Sequence, residues 1–180
     1  MNTFKTLSLC ALLCISSLGS LKAQYGFSSI TAKITPINGE TSLLFGGMGA
    51  FSLGNFYLGG GGMGLQNGET HALTSEGKLQ TDLSLGYGGL IFGHHHDFNS
   101  TFQLYAQNFM AWGGYSWKDD DGGSFFLLEP EVGINLKTSM FYNLSLGLGY
   151  RLALPTSDGN LDLSQLSGFT ATIAMKFGQL

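Results

Sequence analysis

Two glutamates, Glu129 and Glu131, stand two residues apart inside the run Ser124 to Lys137. Paired carboxylates can divide acid and base work between them when a nucleophile and a substrate cleft come with them. Neither accompanies this pair. Asn135 and Lys137 share its parity in the same segment, and Arg151 and Lys176 follow in the next two. Glu129, Glu131, Lys137, Arg151 and Lys176 therefore read as one confined cluster, because acids and bases on the same face of neighbouring strands must pair when water is excluded. The reading adopted is a salt-bridge plug. A polar path for a solute is the alternative.

Other groups have the residue types for chemistry without the spacing. His94, His95 and His96 are consecutive and precede Asp97. Imidazoles suit zinc, copper or nickel. Neighbours on an extended chain point to opposite faces, so three in a row do not close one site. They read as an exposed polar turn, with weak metal binding second. Asp119, Asp120 and Asp121 precede Gly122 and Gly123 but lack the alternating oxygen ligands and final glutamate of a calcium loop. Gly59 to Gly64 lacks the lysine and helix that a phosphate loop needs. No catalytic residue, cofactor or metal site is assigned.

The elements that must position the charges are strands. In Tyr142 to Leu154 every even-numbered residue is large and apolar or aromatic, and every odd-numbered one is small or polar. That period of two is a strand. Its length exceeds the usual soluble strand of about 5–6 residues and suits a tilted bilayer crossing of about 9–11. An apolar face opposite one of glycine and polar groups is the pattern of a transmembrane barrel, apolar outside and polar inside.

Eight such stretches follow one another: Ser28 to Ile37, Thr41 to Leu53, Asn55 to Gln66, Thr81 to Gly93, Ser100 to Trp112, Ser124 to Lys137, Tyr142 to Leu154 and Leu166 to Phe177. The fourth has Leu83, Leu85, Tyr87 and Ile91 on one face and Ser84, Gly86 and Gly88 on the other. The fifth alternates poorly, which suggests a bulge. Short connections fall at Asn38-Gly39, around Gly54, at His94 to Asn99 and at Thr138 to Phe141. Long ones fall at Asn67 to Gln80, Gly113 to Gly123 and Pro155 to Gln165. Only Asn38-Gly39 is short where a long connection would fit the rhythm, and the alternation predicts an up-and-down, eight-stranded antiparallel transmembrane β-barrel with both termini in the periplasm. Trp112, Tyr115 and Trp117 are expected at the outer membrane interface.

Residues 1–23 read as a signal peptide, with Lys5, an apolar run from Leu7 to Ile15 and a small residue at Ala23. The barrel domain is then 24–180. Cys10 and Cys14 fall in the leader, each preceded by leucine, so neither lipidation nor a disulfide framework is expected. All 12 acidic residues follow residue 23, whereas Lys5 and Lys22 are lost from the 8 basic ones, so the net charge moves from −4 to −6. That argues against a nucleic-acid partner. Charged residues make up only 11% of the chain. A soluble sandwich or lipocalin-like barrel would need more charge on its outer face.

The sequence also resembles a family of small, largely uncharacterised outer-membrane β-barrel proteins of Gram-negative bacteria. The matching pieces are I-N-G at Ile37 to Gly39, L-L-F-G-G-M-G at Leu43 to Gly49, G-G-G-G-M-G-L at Gly59 to Leu65 and G-Y-G-G-L at Gly86 to Leu90. F-F-L-L-E-P-E-V at Phe125 to Val132, Y-R at Tyr150-Arg151, L-S-G at Leu166 to Gly168 and K-F-G at Lys176 to Gly178 complete them. The resemblance implies the fold and an outer-membrane location, and brings no catalytic residues. It implies contact with outer-membrane lipids and the barrel-assembly machinery, although Phe177 is followed by Gly178, Gln179 and Leu180 rather than ending the chain. A structural or interactive role, with an extracellular ligand at the loops, is the expected function. A lipid-modifying enzyme is the alternative, but His71, with Thr70, Thr74 and Ser75 nearby, forms no compelling triad. A small-solute channel or lipocalin-like binder is the other.

Overall fold

The computed structural model describes residues 25–37, 39–66, 72–73, 79–80, 83–117, 120–138, 142–155 and 166–178. The segment 1–23, expected to be a signal peptide, and Thr70, His71, Thr74, Ser75 and Asp119 lie outside the described residues.

The strands are β1 Tyr25–Ile37, β2 Glu40–Leu53, β3 Phe56–Leu65, β4 Ala72–Leu73, β5 Leu79–Gln80, β6 Leu83–Asp97, β7 Phe102–Trp117, β8 Asp120–Lys137, β9 Tyr142–Pro155 and β10 Gly168–Gly178. Strands β4 and β5 pair only with each other, within the connection between β3 and β6. The other eight close into an antiparallel barrel in the order β1-β10-β9-β8-β7-β6-β3-β2. Closure leaves no sheet edge to be satisfied. One end carries the turns after β2, β6 and β8 (the turn end). The other carries the connections after β1, β3, β7 and β9 (the loop end). Gly39 and Gly54 occupy tight turns at φ 79° and 66°, where a side chain would be strained.

Two expected connections are strand instead. His94, His95 and His96 continue β6, paired with Ala106, Tyr105 and Leu104 of β7. The turn shrinks to 98–101, where the Asn99 side-chain oxygen accepts from the backbone N–H groups of Thr101 and Phe102 at 2.8 and 2.7 Å. Most of the expected loop Gly113 to Gly123 is also ladder, with Gly114 opposite Ser124 and Tyr115 opposite Gly123. The register shifts between Tyr115 and Trp117. Glycine and aspartate signalled a turn here, but small residues also make room. A side chain at Gly123 would lie 2.7 Å from the Tyr115 hydroxyl oxygen. Tyr115 is accordingly buried in the barrel, whereas Trp112 is exposed on the outer face.

The outer face is apolar over much of its circumference. Ile30, Ile34, Phe45, Phe51, Leu58, Leu104, Val132, Leu146, Leu148, Phe169 and Ile173 are all exposed there. The interior is not uniformly polar. In β6 the expected polarity is reversed: Leu83, Leu85, Tyr87 and Ile91 face inward and Ser84, Gly86 and Gly88 face outward. With Ile37, Leu44, Phe125, Leu127 and Leu166 they build an apolar core weighted to the loop end. The reversal follows from glycine, which gives the period of two without saying which face is which.

One strand thus offers a direct check of facing. A Cβ at inward Gly89 would collide with the Met110 carbonyl oxygen and lie 2.5 Å from Ala111 Cα, both backbone atoms of the next strand. A Cβ at outward Gly86 would find its nearest atom, the Met63 carbonyl oxygen, at 3.7 Å. Gly89→Ala should destabilise by about 1–3 kcal/mol, the usual cost of overpacking. Gly86→Ala should change stability by less than about 0.5 kcal/mol. Urea unfolding of the two variants checks the difference.

Candidate functional site: the buried charge network

Strand β8 projects Glu129 and Glu131 onto the interior, both almost fully buried. Strand β1, three strands away around the barrel, supplies the counter-charge. Lys33 donates from Nζ to Glu129 Oε1, and the same ammonium lies 3.4 Å from Glu131 Oε2. Lys33 owes its position to the alternation of β1, where Ser29, Thr31, Lys33 and Thr35 are buried between outward Ile30 and Ile34.

Neutral donors complete both carboxylates. Tyr87 donates to Glu129 Oε2 at 3.4 Å. Glu131 Oε1 accepts from the Tyr105 hydroxyl at 2.9 Å and from Gln107 Nε2 at 2.8 Å, and its Oε2 accepts from Thr172 at 2.5 Å. Tyr57 in turn donates to Gln107 Oε1 at 2.8 Å. An ionised carboxylate holds only acceptor sites, so this set of donors matches the charged form.

The network extends towards the turn end. Lys176 donates to Asn135 Oδ1 at 3.0 Å, and its ammonium lies 4.2 Å from the centre of the Tyr105 ring. That contact holds a second cation against the ring's negative face. Asn135 Nδ2 donates to Gln103 Oε1 at 2.6 Å, and Gln103 Nε2 donates to Asp97 Oδ1 at 2.8 Å. At the rim, Lys137 Nζ meets Asp97 Oδ1 at 2.7 Å.

Of the five residues singled out from sequence, Glu129 and Glu131 share a site, and Lys176 joins them through Tyr105, whose ring it faces and whose hydroxyl donates to Glu131. Lys137 does not. It is the last residue of β8, and the rim places it beside Asp97 rather than the glutamates. Arg151 is buried and stands level with Glu129 in the β8–β9 register, which pairs Leu128 with Leu152 and Glu131 with Gly149. Its Nε donates to the Leu166 carbonyl at 2.6 Å and its Nη2 to Thr35 Oγ1 at 3.1 Å. Lys33, Tyr87, Tyr105 and Thr172 were missed. The polar parity of β1 carried the signal for Lys33, whereas the tyrosines sit on the two strands whose facing was obscure.

The three histidines alternate across the wall. His95 is buried and stacks on Tyr57 with ring centres 6.2 Å apart, while His96 is exposed and His94 packs edge-on against Phe56 at 4.8 Å. Among the described residues no group of three or more metal-binding side chains converges.

Beside the charge network the described residues leave little room. The space between Met48, Tyr105, Glu131, Thr172 and Lys176 amounts to about 10 Å³. That is room for about one water molecule. The arrangement holds charges in place around that small space.

The sequence matches no protein-family model and no curated protein sequence. Solved structures do match. Neisserial surface protein A is 10% identical with a TM-score of 0.60, over 86% of this chain and 94% of that one. The N-terminal β-barrel domain of Pseudomonas aeruginosa OprF is 11% identical with a TM-score of 0.59, over 85% and 97%. Ail, the attachment invasion locus protein of Yersinia pestis, is 11% identical with a TM-score of 0.53, over 86% and 97%. A further structure of Ail, in complex with the heparin analogue sucrose octasulfate, is 12% identical with a TM-score of 0.50, over 86% and 97%. The chain has the fold of small eight-stranded outer-membrane barrels.

Proposed function

We propose that this chain is an integral outer-membrane barrel, closed by its own side chains, which acts as a structural or interaction protein through the connections at its loop end. Residues 1–23 serve as the cleaved export signal, and the barrel-assembly machinery inserts the strands. The turn end faces the periplasm and the loop end the outside of the cell. The observation that carries the reading is the combination of an apolar outer wall with a packed, charge-paired interior. In a bilayer only a closed sheet satisfies the backbone of spanning strands. An eight-stranded barrel is just wide enough for side chains to fill. The role is non-enzymatic, since the carboxylates are consumed by Lys33, Tyr105 and Thr172. The Ail complex with a heparin analogue lends support to a loop-end ligand for this chain.

The test is solute flux. Proteoliposomes holding the refolded protein should swell in arabinose or glycine no faster than protein-free liposomes. Swelling that rises with protein content would replace the closed plug with a channel.

A further inference from the structure

The seam that closes the barrel, between its first and last strands, is incomplete. Strand β1 runs to Ile37 and β10 starts at Gly168, yet their pairing ends at Ile34 opposite Ala171. Beyond that pair, Thr35, Pro36 and Ile37 on β1 and Gly168, Phe169 and Thr170 on β10 have no ladder across the seam. On their far sides the same ends stay paired, β1 with β2 as far as Ile37 and β10 with β9 as far as Gly168. Pro36 has no N–H to give to a ladder. A side chain at Gly168 would lie 2.8 Å from the Pro36 ring. The outer wall is hollowed over the same positions by a recess of about 410 Å³.

A side chain crosses the break from within. Arg151 stands on β9 opposite Gly168 and is 2% exposed. Its Nε donates to the Leu166 carbonyl at 2.6 Å, just ahead of β10. Its Nη2 reaches past β10 to β1, where it donates to Thr35 Oγ1 at 3.1 Å and to the Pro36 carbonyl at 3.4 Å. The guanidinium thus ties the lead into the last strand to the end of the first, where backbone bonds are missing. Among the described residues it has no carboxylate within ion-pair distance, so neutral oxygens hold it. A planar fork aims several donors at fixed acceptors, which a lysine ammonium does not reproduce.

We propose that the loop-end part of this seam is a lateral gate and that Arg151 is its latch. Seated on Thr35 and Pro36, the guanidinium keeps the wall shut. Released, it lets the ends of β1 and β10 part while the ladder from Phe27 to Ile34 holds. That movement opens the apolar end of the interior, at Ile37 and Leu166, sideways to the surrounding lipid. Local opening needs less free energy than unfolding where few backbone bonds must break. The gate rests on the membrane-barrel reading and adds to it an exit through the wall rather than along the axis.

The test uses the full barrel refolded in detergent, with folding checked by its mobility on unheated gels, and follows amide hydrogen exchange residue by residue by NMR. A parent barrel that does not fold overturns the membrane-barrel reading; a folded parent leaves the latch to be judged by its variants. Arg151→Met should speed exchange at Thr35, Ile37 and Gly168 to Thr170 by about tenfold, the scale of losing hydrogen bonds to a charged group. Exchange at Ser28 to Thr31 and Ala174 to Phe177, on the laddered part of the same seam, should stay as in the parent. Arg151→Lys keeps the charge without the fork and should behave as Arg151→Met does. Thr35→Val removes one acceptor, should move the same amides in the same direction, and carries the test if neither arginine variant folds. Unchanged exchange in a folded variant, or an equal rise along the whole seam, would overturn the gate. Full protection in Arg151→Lys would overturn the guanidinium as its latch. In liposomes, Ile37→Cys, at a position 1% exposed in the closed wall, should react faster with a lipid-soluble maleimide once Arg151→Met or Thr35→Val is added. Equal rates in the folded proteins would overturn the opening towards lipid.

Discussion

Lys33→Met should be the most damaging single change in the interior, lowering stability by about 3–5 kcal/mol, the usual cost of breaking a buried ion pair from one side. The lysine answers two carboxylates at once, and both are almost fully buried. Without it, among the described residues Glu129 keeps the long bond from Tyr87 alone. Glu131 keeps Tyr105, Gln107 and Thr172, so the damage falls mainly on Glu129. Adding Glu129→Gln to Lys33→Met should therefore recover part of the loss, because it removes the stranded charge while keeping the shape. Lys137→Met serves as the contrast. Its ion pair with Asp97 is at the rim, where both partners meet water, and exposed pairs contribute about 0–1 kcal/mol. Urea midpoints of the refolded proteins in liposomes read all three. Equal midpoints for Lys33→Met and Lys137→Met would mean that the interior charges are not a working pair.

Val132→Arg should lower stability in a bilayer by about 2–4 kcal/mol, the cost of an arginine at mid-depth on the lipid side of a barrel. Val132 is 62% exposed on the outer wall and stands opposite Leu148, near the middle of β9. The direction of the effect is what informs. On a water-facing strand, exchanging an exposed valine for arginine would change stability by no more than about 0.5 kcal/mol. The variant should refold poorly into liposomes while the parent inserts. Equal insertion of the two would contradict a lipid-facing wall at β8.

Most of the barrel was legible because a period of two survives almost any substitution that preserves size on one face. The β9 alternation from Tyr142 to Leu154 is reproduced in the structure. The errors share one cause. Glycine, histidine and aspartate at strand ends look like turns in isolation, and only the partner strand shows otherwise. His94 to Asp97 is strand because Gln103 to Ala106 lies opposite it. Gly123 is strand because Tyr115 lies opposite it and fills the space a side chain there would take. In β6, glycine at positions 86, 88 and 89 left both faces open to either reading. The carboxylates of the charge network were visible as a spacing of two on β8. Their partner was not, because Lys33 lies 96 residues from Glu129 and meets it only after the barrel closes. Arg151 carried the opposite lesson: its parity placed it inside and its register sets it level with Glu129, yet its guanidinium turns to Leu166 and Thr35, a choice of rotamer that no pattern in the sequence prints.

The measurement closest to the central claim is membrane fractionation of cells expressing the full chain, followed by electrophoresis with and without boiling. A membrane-inserted, closed barrel predicts recovery in the urea-washed outer-membrane fraction and a band whose mobility changes on heating. Recovery in the soluble periplasmic fraction, with one band that heating does not move, would contradict it.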